Sequence, residues 1–176
     1  MILLLCGCST GEDHIEKGMA LRSKLLQSGC SFEADIIADY GEAVYTFTLQ
    51  CAADPDGGVS FVVTMPETIS GITGKLDHSK GALTFDGSIL SFPMLADGEL
   101  SPVSCPWILI HTLRAGYLRS AGLDGDAVRL TIDDSYESDA LQLDIWLNDQ
   151  DLPQYVQITW QGRRILSMKV RNFTFV

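Results

Sequence analysis

The chain has 176 residues, 46% of them hydrophobic and 20% charged, with 23 acidic against 12 basic residues and a formal net charge of -11. That length suits one domain with a proper core and is short for two, and the even spread of charge leaves no long disordered tract. The acidic balance and the scattered Lys and Arg repel a polyanion, which argues against nucleic acid as a partner.

The N-terminus, Met1 to Cys8, reads M-I-L-L-L-C-G-C and runs into the polar S-T-G-E-D. This apolar run is too short to span a bilayer. It resembles the end of a bacterial lipoprotein signal, in which Leu, a small residue and Gly or Ala precede the Cys that is acylated. Leu5, Gly7 and Cys8 match that pattern; Cys6 stands where Ala or Ser is commoner, and no basic n-region precedes the run. The resemblance implies that Cys8 is lipidated, that the residues before it are lost, and that the domain is exported and tethered to the bacterial cell membrane. The alternative is an apolar N-terminal strand or helix.

Ser9 and Glu12 have the spacing of a capping box, and Ile15, Met19, Leu21, Leu25 and Leu26 recur at helical spacing with Gly29 as the stop. This predicts a surface helix with one apolar side. Cys30 to Cys51 then folds as a long hairpin. With a two-residue loop at Tyr40-Gly41, Ala38 faces Ala43, Ile36 faces Tyr45, Ala34 faces Phe47, Phe32 faces Leu49 and Cys30 faces Cys51, all apolar, while the other side is almost wholly polar. After the turn Asp54 to Gly58, the residues Val59, Phe61, Val63 and Met65 extend the buried side. Pro66 to Lys80 reads as a short strand with a turn at His78 to Gly81, and Asp86-Gly87 closes a further hairpin that sets Leu83 against Leu90.

Between Ser101 and Gly116 the cluster Trp107, Ile108, Leu109, Ile110 and Leu113 is too dense for a solvated helix; it predicts a short buried one, with Pro106 in the first turn and Ser104 or Cys105 as the cap. Ala127 to Ile132 and Leu141 to Leu147 alternate as strands around an acidic loop. The last two strands turn at Gln161-Gly162, with Val156 and Ile158 facing Ser167 and Ile165 and Tyr155 facing Met168, and a phase shift near Arg171-Asn172 predicts a bulge. The order of helix, about six strands, helix and four or five strands, with one apolar side throughout, predicts a mainly β (α+β) domain over residues 9–176, residues 1–8 being a signal remnant. Its fold class is a strongly bent antiparallel sheet, a half-barrel of about 10–11 strands with helices on the concave side.

Pro153 to Phe175, with its Pro, alternating strand, Gly turn and final N-F, is similar to the closing hairpin of the LolA/LolB-like outer-membrane lipoprotein carriers. Pro66 to Phe92 is similar to the middle strands of Gram-positive lipoprotein relatives such as the germination lipoprotein GerS. The resemblance implies a half-barrel whose concave face, lidded by helices, holds acyl chains or docks a protein partner, with Trp107 to Leu113 and the first helix as lids.

The titratable and nucleophilic residues carry no enzyme signature. Facing cysteines at a non-hydrogen-bonded hairpin site lie about 4.5 Å apart at Cα, close enough for a disulfide between Cys30 and Cys51; the alternative is two free buried thiols, and Cys105 is left over beside Trp107. No cysteine or histidine spacing fits zinc, and His14, His78 and His111 stand far apart. Ser104 could share a helix face with His111, but no nucleophile elbow surrounds it. Asp133, Asp134, Glu137 and Asp139 lack the EF-hand spacing and read as a solvated loop. No cofactor motif is present. The remaining candidate is the concave surface, with Phe32, Phe47, Phe61, Trp107 and Trp160 as candidates to line it; the alternative is a core that these side chains fill. The sequence therefore predicts a non-enzymatic lipoprotein that binds a lipid or other hydrophobic ligand, or alternatively an interaction module that positions or activates an envelope enzyme.

Overall fold

The structure, a computed structural model, describes residues 10–77, 80–85, 88–93, 95–96 and 99–176. Cys8, the Ser9 cap, the His78-Ser79 turn and the Asp86-Gly87 turn lie outside the described residues. Helix α1 (Thr10–Gln27) precedes β1 (Cys30–Asp39), β2 (Val44–Ala53), β3 (Val59–Met65), β4 (Thr73–Asp77), β5 (Lys80–Phe85) and β6 (Ser88–Pro93). The short β7 (Leu95–Ala96) and β8 (Glu99–Leu100) lead to α2 (Cys105–Ala115), followed by β9 (Tyr117–Asp124), β10 (Ala127–Asp133), β11 (Gln142–Leu147), β12 (Pro153–Trp160) and β13 (Arg163–Phe175).

Eleven of these strands form one open, curved antiparallel sheet in the order β6-β5-β4-β3-β2-β1-β13-β12-β11-β10-β9. Each half is a meander, and the first strand pairs with the last, from Cys30 opposite Phe175 to Ala38 opposite Leu166. Alternation decides the faces: Cys30, Phe32, Ala34, Ile36 and Ala38 are buried along β1, and Val128, Leu130 and Ile132 along β10. Helix α2 measures the curvature. It touches both β2 and β10, five strand spacings or about 24 Å apart along the sheet, whereas a helix is only about 10 Å across. The sheet must curl around it, which is the half-barrel the alternation predicts.

Two arginines fix the helices by exchange. Arg22 of α1 donates to Leu113 O and Gly116 O at the end of α2, both at 2.7 Å. Arg114 of α2 donates to Leu25 O near the end of α1 at 3.0 Å, and also to Asp54 O and Pro55 O in the β2–β3 turn. Terminal helix carbonyls have no partner within their own helix, and here each helix supplies the donor for the other. Pro106 sits in the first turn of α2 as predicted; Ser104 is its N-cap residue, without a side-chain cap bond.

The hairpin register differs from the sequence expectation by two residues. Ala38 faces Tyr45, Ile36 faces Phe47, Ala34 faces Leu49, Phe32 faces Cys51 and Cys30 faces Ala53. The turn is centred on Gly41-Glu42, closed by Tyr40 N–H donating to Ala43 O at 3.0 Å. Gly41 has φ +89, and a positive φ at the first central position of a tight turn favours Gly over Tyr. At β12–β13 the Gln161-Gly162 turn sets Trp160 against Arg163, but a bulge past Ile158 shifts the ladder, so Val156 faces Met168 and Ile158 faces Leu166. The predicted bulge at Asn172 is present, with φ 53 and an irregular register against β1. Met65 is exposed rather than buried, because the β2–β3 ladder is also irregular beside Thr48. On α1 the apolar residues divide: Leu21 and Leu25 are buried, whereas Ile15, Met19 and Leu26 are exposed.

One close approach within the sheet is testable. Phe61 pairs with Gly74, and a Cβ at Gly74 would collide with the Phe61 ring. Gly74→Ala should lower stability by about 1–3 kcal/mol, as overpacking does, read as a lower urea midpoint. The double variant with Phe61→Leu should recover part of that loss; unchanged stability in the single variant would show that the ring has room to move.

Candidate functional site

The candidate site is the apolar inner face of the half-barrel and the helices on it. Helix α1 rests on β9 and β10 and against α2, and α2 spans from β10 to β2. The five sequence-predicted lining residues fall into two groups. Phe32 and Phe61 are buried and belong to one cross-strand row, Phe32-Cys51-Phe61-Gly74-Leu83. Phe32 stacks on Phe173 with centroids 5.5 Å apart and planes at 15°, and Phe61 covers Gly74. These two rings fill the core. Phe47, Trp107 and Trp160 are half-buried and pack against that core from its rim. Trp107 also stacks on His111, with centroids 4.5 Å apart and planes at 9°. Tyr40, which the sequence reading placed only in the turn, joins the rim by donating its hydroxyl to Leu100 O.

Among the described residues, Cys30, Cys51 and Cys105 share one region of the core as free thiols. With the register displaced, Cys30 and Cys51 are diagonal rather than facing neighbours, so the facing-pair geometry expected for a disulfide is not formed. Burial pushes the Cys30 thiol up to about 12, with Arg114 pulling the other way. Burial likewise raises Cys51, which also feels Cys105 and Cys30, and it raises Cys105 at the head of α2. Thiols this reluctant to ionise act as small hydrophobes rather than nucleophiles.

The weaker catalytic and metal candidates are not assembled into a site among the described residues. Ser104 is fully buried and its Oγ makes no hydrogen bond, so it is not paired with His111 as nucleophile and base. Asp133 pairs with Arg119 at 3.2 Å, and Asp134 accepts from Leu141 N–H at 2.8 Å. Burial raises the Asp134 carboxyl above its ordinary range, against the pull of the Leu141 N–H, Ser135 and His111.

The outer face carries a feature that sequence reasoning did not identify. A cavity of about 690 Å³ runs across β5, β4, β3, β2 and β1 between two outward rows. One row is Ser31, Ala52, Ser60, Lys75 and Ala82; the other is Glu33, Gln50, Val62, Thr73 and Thr84. Asn172 closes one end and donates to Glu33 Oε1 at 3.0 Å. The small side chains of Ser31, Ala52, Ser60 and Ala82 leave the space. Alternation marks them as outward but says nothing of a trough.

No family model and no curated protein matches the chain. Among solved structures, an uncharacterized conserved protein from Thermus thermophilus is 11% identical, with a TM-score of 0.50 over 92% of this chain and 87% of that one. A LolA superfamily protein from Nitrosomonas europaea is 8% identical, with a TM-score of 0.46 over 90% and 93%. The lipoprotein LppX of Mycobacterium tuberculosis is 7% identical, with a TM-score of 0.44 over 92% and 93%. At 11% identity the likeness to the Thermus protein is one of fold alone.

The buried ionisable groups generate two predictions. A thiol held above its unfolded value, near 8.5, contributes stability that is complete below that value and lost as pH rises through the folded one. The native chain should therefore resist alkylation of Cys30, Cys51 and Cys105 in mildly alkaline solution. Its urea midpoint should also fall more steeply toward about pH 11 than that of Cys30→Ala; rapid native alkylation would contradict this. Asp134, also raised, contributes stability below the ordinary carboxylate range and loses it as pH rises. Asp134→Asn keeps the acceptor for Leu141 N–H, so at neutral pH its urea midpoint should equal or exceed that of the wild type. The difference should shrink toward about pH 4, and a less stable variant at neutral pH would refute the assignment.

Proposed function

We propose that the protein is an extracytoplasmic lipoprotein, anchored to the bacterial cell membrane through an acylated Cys8. Its half-barrel receives an acyl chain or another hydrophobic ligand along the rim formed by Phe47, Trp107 and Trp160. The observation that carries this reading is the contrast between aromatic residues on one face: Phe32 and Phe61 are sealed in the core, while Phe47, Trp107 and Trp160 are only half-buried against it. A ligand that covers such half-buried residues gains apolar burial without displacing packed rings, at roughly 25 cal/mol per Å². The resemblance of the closing hairpin to the LolA/LolB-like carriers supports the same reading. A second reading, an interaction module that positions or activates an envelope enzyme, is favoured by the half-exposed Ile37, Val44, Tyr45 and Met65 of β1, β2 and β3.

Native mass spectrometry separates the two. The Cys8→Ser chain, purified from a bacterium without detergent, should carry a lipid-sized mass that is lost on denaturation. Trp107→Ala and Trp160→Ala should each weaken retention by about tenfold, the effect of roughly 1.4 kcal/mol of lost burial. A bare chain mass throughout would overturn ligand binding. Capture of an envelope protein, abolished by Ile37→Ser with Val44→Ser, would then establish the second reading.

A further inference from the structure

Helix α1 shows an apolar stripe that its packing leaves outside. At 100° per residue Ile15, Met19 and Leu26 fall within about 40° of one line, and they are 44%, 48% and 52% exposed. The buried residues Gly18, Leu21 and Leu25 lie on a different side, with Gly18 seated against Leu130 of β10. The helix cannot roll to bury the stripe, because three contacts fix its rotation. Gly18 meets Leu130, Arg22 is bound to the end of α2, and Lys17 Nζ reaches Asp151 Oδ1 at 2.6 Å. The described part of α1 begins at Thr10, two residues after Cys8. Two residues span at most about 7 Å, so whatever holds Cys8 holds the first turn of α1 beside it.

We infer that this stripe is a membrane-contacting face: α1 lies on the lipid surface beside the anchor, with Ile15, Met19 and Leu26 in the acyl-headgroup boundary. The inference rests on the proposed lipidation of Cys8, which supplies the occupant. Three partly exposed apolar side chains bind a bilayer weakly by themselves, but a tether this short makes the contact intramolecular and raises its effective concentration. The occupant is zwitterionic lipid rather than an anionic surface, since Glu12 and Glu16 border the stripe and are exposed. Lying on this face fixes the orientation of the domain relative to the bilayer, which a flexible acyl tether does not do.

The test uses the full chain in a lipoprotein-processing bacterium, with a photo-reactive amino acid placed singly at Ile15, Met19 or Leu26, or at the exposed Asp13 or Ala20 on the other side of α1. Membranes are irradiated and lipid adducts are identified by mass spectrometry. Adducts at the three stripe positions and background at Asp13 and Ala20 are expected. Cys8→Ser should move the chain to the soluble fraction and abolish the adducts. Stripe adducts that persist in membrane-bound Cys8→Ser would uphold the membrane face and remove the anchor. A membrane-bound wild-type chain whose stripe gives no more lipid adducts than Asp13 and Ala20, or gives adducts to protein, would overturn the inference and leave the anchor standing. A wild-type chain found wholly in the soluble fraction would overturn both.

Discussion

The pairing of β1 with β13 is the constraint on which the rest depends. Without it the chain would be two separate meanders, β6 to β1 and β13 to β9, each with an apolar face too narrow to curl around a helix. The ladder from Cys30 opposite Phe175 to Ala38 opposite Leu166 makes those faces continuous. Side chains reinforce it on both faces. Inside, Phe32 of β1 stacks on Phe173 of β13. Outside, Ser31 and Thr174 share a hydrogen bond, Arg171 pairs with Asp35 and Glu33, and Asn172 donates to Glu33. The ion pairs are partly exposed and individually modest; the stacked rings and the continuous ladder carry more of the join.

Much of this was readable from alternation, and its limits are physical. The period of two told which side of each strand would be buried, and a displacement of two residues leaves that answer unchanged. This is why the β1 faces were correct while Cys30 was set against Cys51 instead of Ala53. Only the need for Gly at the first central position of the turn discriminates between the registers, and it places Gly41 there. The bulge at Asn172 was legible because a phase change in the apolar pattern has few other causes. Strand β9 was not, because an edge strand half exposed on both sides, as Tyr117 to Asp124 is, has no pattern to read.

The candidate site was legible in its residues and not in their condition. Five aromatic side chains were placed on the inner face, but whether a ring fills the core or borders it depends on partners far away in sequence. Phe32 finds Phe173 and Phe61 finds the bare backbone of Gly74, whereas Phe47, Trp107 and Trp160 are not fully enclosed. Helix α1 shows the same limit. A helical repeat identifies five apolar residues, yet the repeat alone does not say that Leu21 and Leu25 turn inward while Ile15, Met19 and Leu26 remain outside.

The exchange of arginines between the helices bears on how the pair is held over the inner face. Arg22 holds the last turn of α2, and Arg114 holds the end of α1 together with the β2–β3 turn. Separating the helices would strip both sets of carbonyls of their donors at once. Moving one helix alone therefore breaks bonds that moving the pair together would keep. The arginines thus join the two helices to each other at their C-terminal ends and tie the pair to the β2–β3 turn, so that α1, α2 and that turn form one hydrogen-bonded unit across the inner face.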